Sequence, residues 1–309
     1  MLIEKLETIR VAEHPNLLWV EITGTGGQKG LGETFFGSAA VEAYLHESVA
    51  AKLIGRDAGA IDLISDDLRP YLGFASAGVE MRGNSAVDIA LWDLLGKRAG
   101  LPVAQLLGGF SRPSIRTYNT CAGGNYMRQG EGQTFSNYGV GGKRVQYDDL
   151  DAWLTRDAGD LAEELLAEGI TAMKIWPFDQ AAERNRGSII SSAELTAALV
   201  PFEQIRKRVG DQMEIIVEFH SMWRLLPAIK IARALRDFDP FWHEDPIRLD
   251  SLGDLARYAD ESAAPVCASE TLGGVANYRD LLATGAAGIV NADLSWCGGI
   301  TIGRKIAAM

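Results

Sequence analysis

Residues 215–223, IIVEFHSMW, carry a carboxylate and an imidazole at the tip of an apolar run. Ile215, Ile216 and Val217 suit a strand covered on both faces. If that strand continues, Glu218 and His220, two residues apart, project to the same side. Two later segments end in the same way, with Glu244 in WHEDP and Glu270 in ASET, at equal intervals of 26 residues. Asp293, in NADLSW, follows 23 residues further on. Three carboxylates brought within reach of one another repel, and burying them unpaired is costly. A hard divalent cation resolves the conflict, and Mg²⁺, which takes carboxylate oxygens and retains several waters, is the expected one. His243, next to Glu244 and therefore on the other side of its strand, is expected to be structural.

The elements around these acids alternate. IRTYNTCAG, TAMKIW, EIIVEFH, PFWHEDP, PVCASET and GIVNADLSW read as strands, and amphipathic helical segments from DLDAWLTRDAGDLAEELLAEGI to GITIGRKIAAM separate and follow them. Six β/α units in strict alternation imply a parallel sheet with helices outside it. Acids at the ends of successive parallel strands lie on one rim, the C-terminal face on which barrel enzymes keep their chemistry. Six units suit either a doubly wound sheet or an unfinished (β/α)₈ barrel. Upstream, residues 1–35 alternate as antiparallel strands around the hairpin GTGGQKG, and a helical period then runs to Gly100, most clearly in SAVDIALWDLLGKRAG. The expected domains are therefore 1–113 and 114–309, joined at LLGGFSRPS. Residues 123–149 form a long Gly-rich loop leaving the catalytic rim. It is read as a lid, with Asn125, Tyr126 and Arg128 as substrate contacts.

Composition excludes several classes. The formal charge of −11 argues against an extended basic track for nucleic acid. Three scattered cysteines without CxxC spacing argue against a disulfide framework or a zinc ribbon. MLIEKLETIR has charges where a signal peptide would be apolar, and no apolar run reaches membrane-spanning length. A soluble, cytoplasmic protein acting on a small molecule is expected.

The three glutamates, with KIW one strand earlier and NADLSWCGGIT one strand later, resemble the mandelate racemase/muconate lactonizing branch of the enolase superfamily. SAVDIALWDLLGKRAGLPVAQLLGG (85–109) looks like that family's passage from capping domain to barrel, so the resemblance covers essentially the whole chain. It implies an α/β fold in which an N-terminal α+β capping domain covers a modified (β/α) TIM-like barrel. Mg²⁺ would be held by Glu218, Glu244 and Glu270. The superfamily's general scheme, in which a lysine or histidine base removes a proton α to a carboxylate and Mg²⁺ stabilises the resulting enediolate, comes with the resemblance. Lys174, on the same rim, adds positive charge at the substrate carboxylate.

The sequence also departs from the family. Where the family usually has Lys-x-Lys, this chain has Lys174-Ile175-Trp176, and an indole cannot accept a proton. Trp176 is expected to wall the pocket or to stack on the substrate. Asp293 resembles the aspartate of an Asp–His dyad whose histidine comes from a seventh strand. The sequence stops at Met309, so it is read as a fragment still owed two β/α units. His220 resembles the general acid with which acid-sugar dehydratases expel the 3-hydroxyl. The expected activity is Mg²⁺-dependent dehydration of a sugar acid such as an aldonate, and the resemblance implies a homo-oligomer, even-numbered by the family's habit. The rival readings are a racemase or epimerase of a 2-hydroxy acid, and a non-catalytic protein that binds metal and sugar acid.

Overall fold

Leu18, Val20 and Ile22 are fully buried and alternate with more exposed neighbours, a period of two that commits their segment to a strand with one face in a core. In a computed structural model of the protein, which describes residues 1–69, 77–123 and 148–309, this strand is the middle of a three-stranded antiparallel sheet. Its members are β1 (Ile3–Ile9), β2 (Leu17–Gly24) and β3 (Lys29–Phe35). Gly26 and Gly27, at φ 100° and 80°, turn the chain from β2 into β3 in a conformation that side chains other than glycine resist.

Helix Val79–Ala99 covers the sheet. Glu80 stands in its first turn and Lys97 and Arg98 in its last, complementing the helix dipole, and Gly100 ends it in the left-handed conformation. Ala86, Val87, Ala90, Leu91 and Leu94 bury against the same core as Leu18, Val20 and Ile22. The approach is close enough that a Cβ placed on Gly32 would stand 2.0 Å from the Ala86 carbonyl oxygen. Met1–Ile115 together with Glu270–Asp280 and Ala292–Met309 form one compact unit. The late helix Gly299–Ala308 starts at Gly298 without a side-chain cap of its own. Its orphan donors are met by helix Val79–Ala99 instead: Gly298 N–H donates to Ser85 Oγ and Thr301 N–H to Asp88 Oδ2, each at 2.9 Å. Trp92 Nε1 donates to Thr301 Oγ1, also at 2.9 Å.

The second unit comprises Arg116–Ser269 and Leu281–Asn291. Its sheet is parallel throughout, in the order β4 (Ala172–Ile175), β5 (Glu214–Glu218), β6 (Trp242–Glu244), β7 (Val266–Ala268) and β8 (Ala287–Val290). The expectation of six strands is corrected to five among the described residues. IRTYNTCAG contributes only Asn119, which bridges Met173 through Asn119 N–H to the Ala172 carbonyl and Lys174 N–H to the Asn119 carbonyl. Asn119 Oδ1 then takes the Cys121 N–H at 2.7 Å, and Cys121 turns away with φ 52°, so the ladder cannot propagate. The sheet also does not close on itself among the described residues, so the barrel of the sequence reading is seen as an open parallel series. The helix expected over 149–170 is two, Asp149–Thr155 and Ala158–Ala167, because Asp157 adopts an extended conformation and caps the second through Gly159 N–H. No helix among the described residues is long and apolar enough to cross a membrane.

The contact at Gly32 yields a prediction. Gly32→Ala is expected to destabilise the protein by about 1–3 kcal/mol, because the methyl group meets helix backbone rather than a side chain that can rotate away. Gly59→Ala, whose added Cβ meets nothing nearer than 3.6 Å, is expected to stay within about 0.5 kcal/mol. Urea denaturation of the two variants decides, and equal midpoints would contradict the close-approach account.

Candidate active site

The register of the parallel sheet assembles the site. Glu218, the last residue of β5, is paired with Glu244, the last residue of β6, and Lys174 lies on the neighbouring β4. All three side chains are buried. Lys174 Nζ donates to Glu218 Oε2 at 3.0 Å and to Glu244 Oε1 at 2.7 Å, so one ammonium bridges two carboxylates. The remaining oxygens are also used. Glu218 Oε1 accepts the backbone N–H groups of Phe219 (3.0 Å) and His220 (2.7 Å). Glu244 Oε2 accepts from Trp242 Nε1 at 3.0 Å, and its Oε1 also accepts from Asn291 Nδ2 at 2.9 Å. The Tyr118 ring lies 5.7 Å from Lys174 Nζ, a cation–π distance.

Burial opposes every charge here. It works to lower the Lys174 pKa, but the two carboxylates outweigh it and hold the ammonium well above the usual lysine range. Burial would likewise raise Glu218, and the charges of Lys174 and His220 with the backbone donors overcome it, keeping that carboxylate well below its usual range. Glu244 goes the other way: burial and the neighbouring Glu218 charge push it upward against the pull of Lys174. A single ammonium thus satisfies one carboxylate and leaves the second under-compensated. An all-oxygen donor pair carrying surplus negative charge fits a hard cation such as Mg²⁺. Among the described residues no three His, Cys, Asp or Glu side chains gather as a metal-holding group. Glu270 follows β7 by two residues and Asp293 follows β8 by three, and both belong to segments that cluster with the first unit.

His220 is placed by a different route from the one its spacing implied. The strand stops at Glu218, and His220 and Ser221 both take left-handed conformations, at φ 50° and 55°. The alternation rule therefore does not set the direction of the imidazole. Backbone bonds hold the turn, His220 N–H to Glu218 Oε1 and Ser221 N–H to the Asp245 carbonyl at 2.8 Å. The ring's Nδ1 bonds Asp179 Oδ2 at 2.8 Å. Burial works to lower the imidazole's pKa, but the Asp179 and Glu218 charges and the Asp179 hydrogen bond push it up to about 10.

Trp176 is buried, edge-on to both Trp153 (centroids 5.4 Å apart) and His220 (5.6 Å). Asp293 Oδ1 accepts Ser295 N–H at 2.7 Å, its backbone carbonyl accepts Cys297 N–H, and burial raises the pKa of its carboxyl. The segment after it is tied to β3, where Thr34 Oγ1 donates to the Ser295 carbonyl at 2.9 Å. Asn125, Tyr126 and Arg128 lie outside the described residues. His243 faces away from Glu244 as its strand position requires, its Nδ1 2.8 Å from the Tyr258 hydroxyl on helix Leu252–Glu261, and burial lowers its pKa to about 3. Sequence reasoning missed Asp179, Asn291, Trp242 and Tyr118. Asn291 and Trp242 stand within the strand-end segments already singled out, and their polar groups near three acids were a usable signal. Asp179 sits in a short helix, Asp179–Asn185, with no periodic pattern to announce it.

Known proteins resemble the chain along its length. Residues 7–108 match the model of the mandelate racemase/muconate lactonizing enzyme N-terminal domain, and residues 157–309 match the enolase C-terminal domain-like model. The crystal structure of an enolase of the mandelate racemase subgroup from Agrobacterium tumefaciens, described with a succinimide residue, Na and phosphate, is 55% identical with a TM-score of 0.87, and the match covers 100% of this chain and 75% of that one. The D-galactonate dehydratase of Xanthomonas euvesicatoria is 27% identical, covering 100% of this chain and 72% of that protein. The 3,6-anhydro-alpha-L-galactonate cycloisomerase of Streptomyces coelicolor is 30% identical, covering 95% of this chain and 71% of that protein. With both domain models matched in order and such identity over the whole chain, this protein belongs to the mandelate racemase/muconate lactonizing branch of the enolase superfamily.

Proposed function

We propose that the protein is a Mg²⁺-dependent dehydratase of a sugar acid, converting an aldonate to a 2-keto-3-deoxy acid and water. The observation that carries this reading is the buried Lys174–Glu218–Glu244 cluster with a histidine held in the next turn. The names of the dehydratase and cycloisomerase relatives, both acting on galactonates, support the substrate class. Glu218 and Glu244 would hold Mg²⁺, which supplies Lewis-acid charge against the carboxylate of a substrate losing its α-proton. Lys174 lends its ammonium to the same carboxylate, and burial keeps that charge unscreened. A general base takes the C2 proton, and an enediolate is left. Its electron pair then forms the C2–C3 double bond as the C3–O bond breaks. A hydroxide is a poor leaving group, and His220 delivers a proton to it so that water departs. The enol that remains tautomerises to the 2-keto acid, so atoms and charge balance. Trp176 walls the site behind the imidazole.

Two outcomes follow. Glu244→Gln removes a ligand charge and almost no volume, so the fold is expected to persist while Mg²⁺ affinity falls by about 10-fold or more. Calorimetric titration reads this directly, and undiminished binding would remove Glu244 from the ligand set. In D₂O with Mg²⁺ and a panel of aldonates including D-galactonate, His220→Asn is expected to exchange deuterium into C2 while forming keto acid roughly 10²–10⁴-fold more slowly. Full keto acid formation by the variant would make His220 a bystander. Inversion at C2 by the unmutated enzyme, without keto acid, would replace the dehydratase with an epimerase.

A further inference from the structure

The dehydratase reading gives His220 a task but does not say what makes one of its two ring nitrogens the acting one. Resting on that reading, we propose that Asp179 is the positioning residue for His220, holding Nδ1–H so that Nε2 is the nitrogen committed to the substrate. Asp179 is fully buried and its Oδ2 lies 2.8 Å from His220 Nδ1. An ionised carboxylate only accepts hydrogen bonds, so the ring presents Nδ1–H to Asp179, and Nε2, carrying the imidazolium's other proton, is the nitrogen that can give a proton to the leaving hydroxyl.

Two further observations fit a positioning role. The Trp176 ring meets the imidazole edge-on at 74°, which blocks rotation about the Cβ–Cγ bond on that side. The backbone beneath is fixed as well: His220 and Ser221 are both left-handed, a costly conformation for residues other than glycine, and are held there by Glu218 Oε1 and the Asp245 carbonyl. The imidazole is thus gripped at its backbone, its ring edge and one nitrogen. Such a grip has a use only if the orientation of the remaining nitrogen matters.

The test uses the full-length protein with Mg²⁺ and two variants, Asp179→Asn and the smaller Asp179→Ser, in case one of them misfolds. Proton NMR of the parent is expected to show a slowly exchanging downfield ring N–H, assigned to His220 by its absence in His220→Asn and lost in both Asp179 variants. This readout needs no substrate. With D-galactonate, the Asp179 variants are expected to lose about 10- to 100-fold in kcat for elimination, with KM within about twofold and C2 deuterium exchange retained. A general loss of packing would instead depress exchange and elimination together. Persistence of the downfield proton in Asp179→Asn overturns the proposal, as does unchanged kcat in that variant while His220→Asn abolishes elimination. If His220→Asn itself eliminates at the parent rate, the dehydratase role of His220 fails, and the catalytic meaning of Asp179 falls with it.

Discussion

The sheet of the second unit is arranged around one ammonium group buried between two carboxylates. Lys174, Glu218 and Glu244 come from three adjacent parallel strands, and their charges meet because the register pairs the last residue of β5 with the last residue of β6. Several polar groups nearby answer to that triad. Trp242 and Asn291 occupy oxygens of Glu244, two backbone N–H groups occupy Glu218 Oε1, and Tyr118 lies against the lysine. A buried charge that lost one of these partners would bear most of its desolvation penalty. The division of labour at Glu218 is specific. Its Oε1 is used to hold the His220 turn, so only Oε2 faces the cationic partner, and a single side chain links the metal-binding edge of the proposed site to its acid.

Much of this was readable in the sequence because parallel strands repeat. A β/α unit of constant length puts like positions at like heights, so the one-unit interval between Glu218 and Glu244 translates into adjacency on the sheet. The opposite facing of His243 followed from the same alternation, and the structure has it bonded to Tyr258. What was not readable depends on local competition. Whether Asn119 extends a strand or ends it turns on its own side chain taking the Cys121 N–H, and no periodicity reports that choice. Asp157 splits a helix for the same reason, by offering its carboxylate to the next turn. His220 is the clearest case. Its spacing from Glu218 implied a shared strand face, yet two consecutive left-handed residues carry it around a turn, and its orientation comes from Asp179, which is 41 residues away in sequence.

The first unit shows a second kind of dependence that a linear reading divides wrongly. SAVDIALW looks like an ordinary amphipathic segment, but its polar residues are not on a solvent face. Ser85 and Asp88 are buried and supply the cap that helix Gly299–Ala308 lacks, and Trp92 bonds Thr301 in the same helix. Burial raises the pKa of Asp88 to about 6, and the donors at the start of that helix partly restore its carboxylate. A buried acid inside an apolar helical period was therefore a signal of a partner elsewhere in the chain. The partner itself, more than 200 residues away, carries no mark of its own beyond two glycines and a threonine.

Stability does not explain the Lys174 triad. Replacing a buried ion-pair cluster with well-packed apolar side chains is often neutral or stabilising, because attraction in a low dielectric barely repays desolvation. β4 is buried at every position and could hold an apolar residue where Lys174 stands. The surrounding structure instead spends hydrogen bonds on keeping three charges, one of them under-compensated, at the edge of a sheet, and adds a strained turn next to them. A low-dielectric pocket with fixed dipoles and a surplus of negative charge is what a reaction through an anionic intermediate requires once a cation is present, since each charge then acts at close to full strength on the substrate. The features that are hardest to justify as packing are thus the ones whose chemistry is easiest to state.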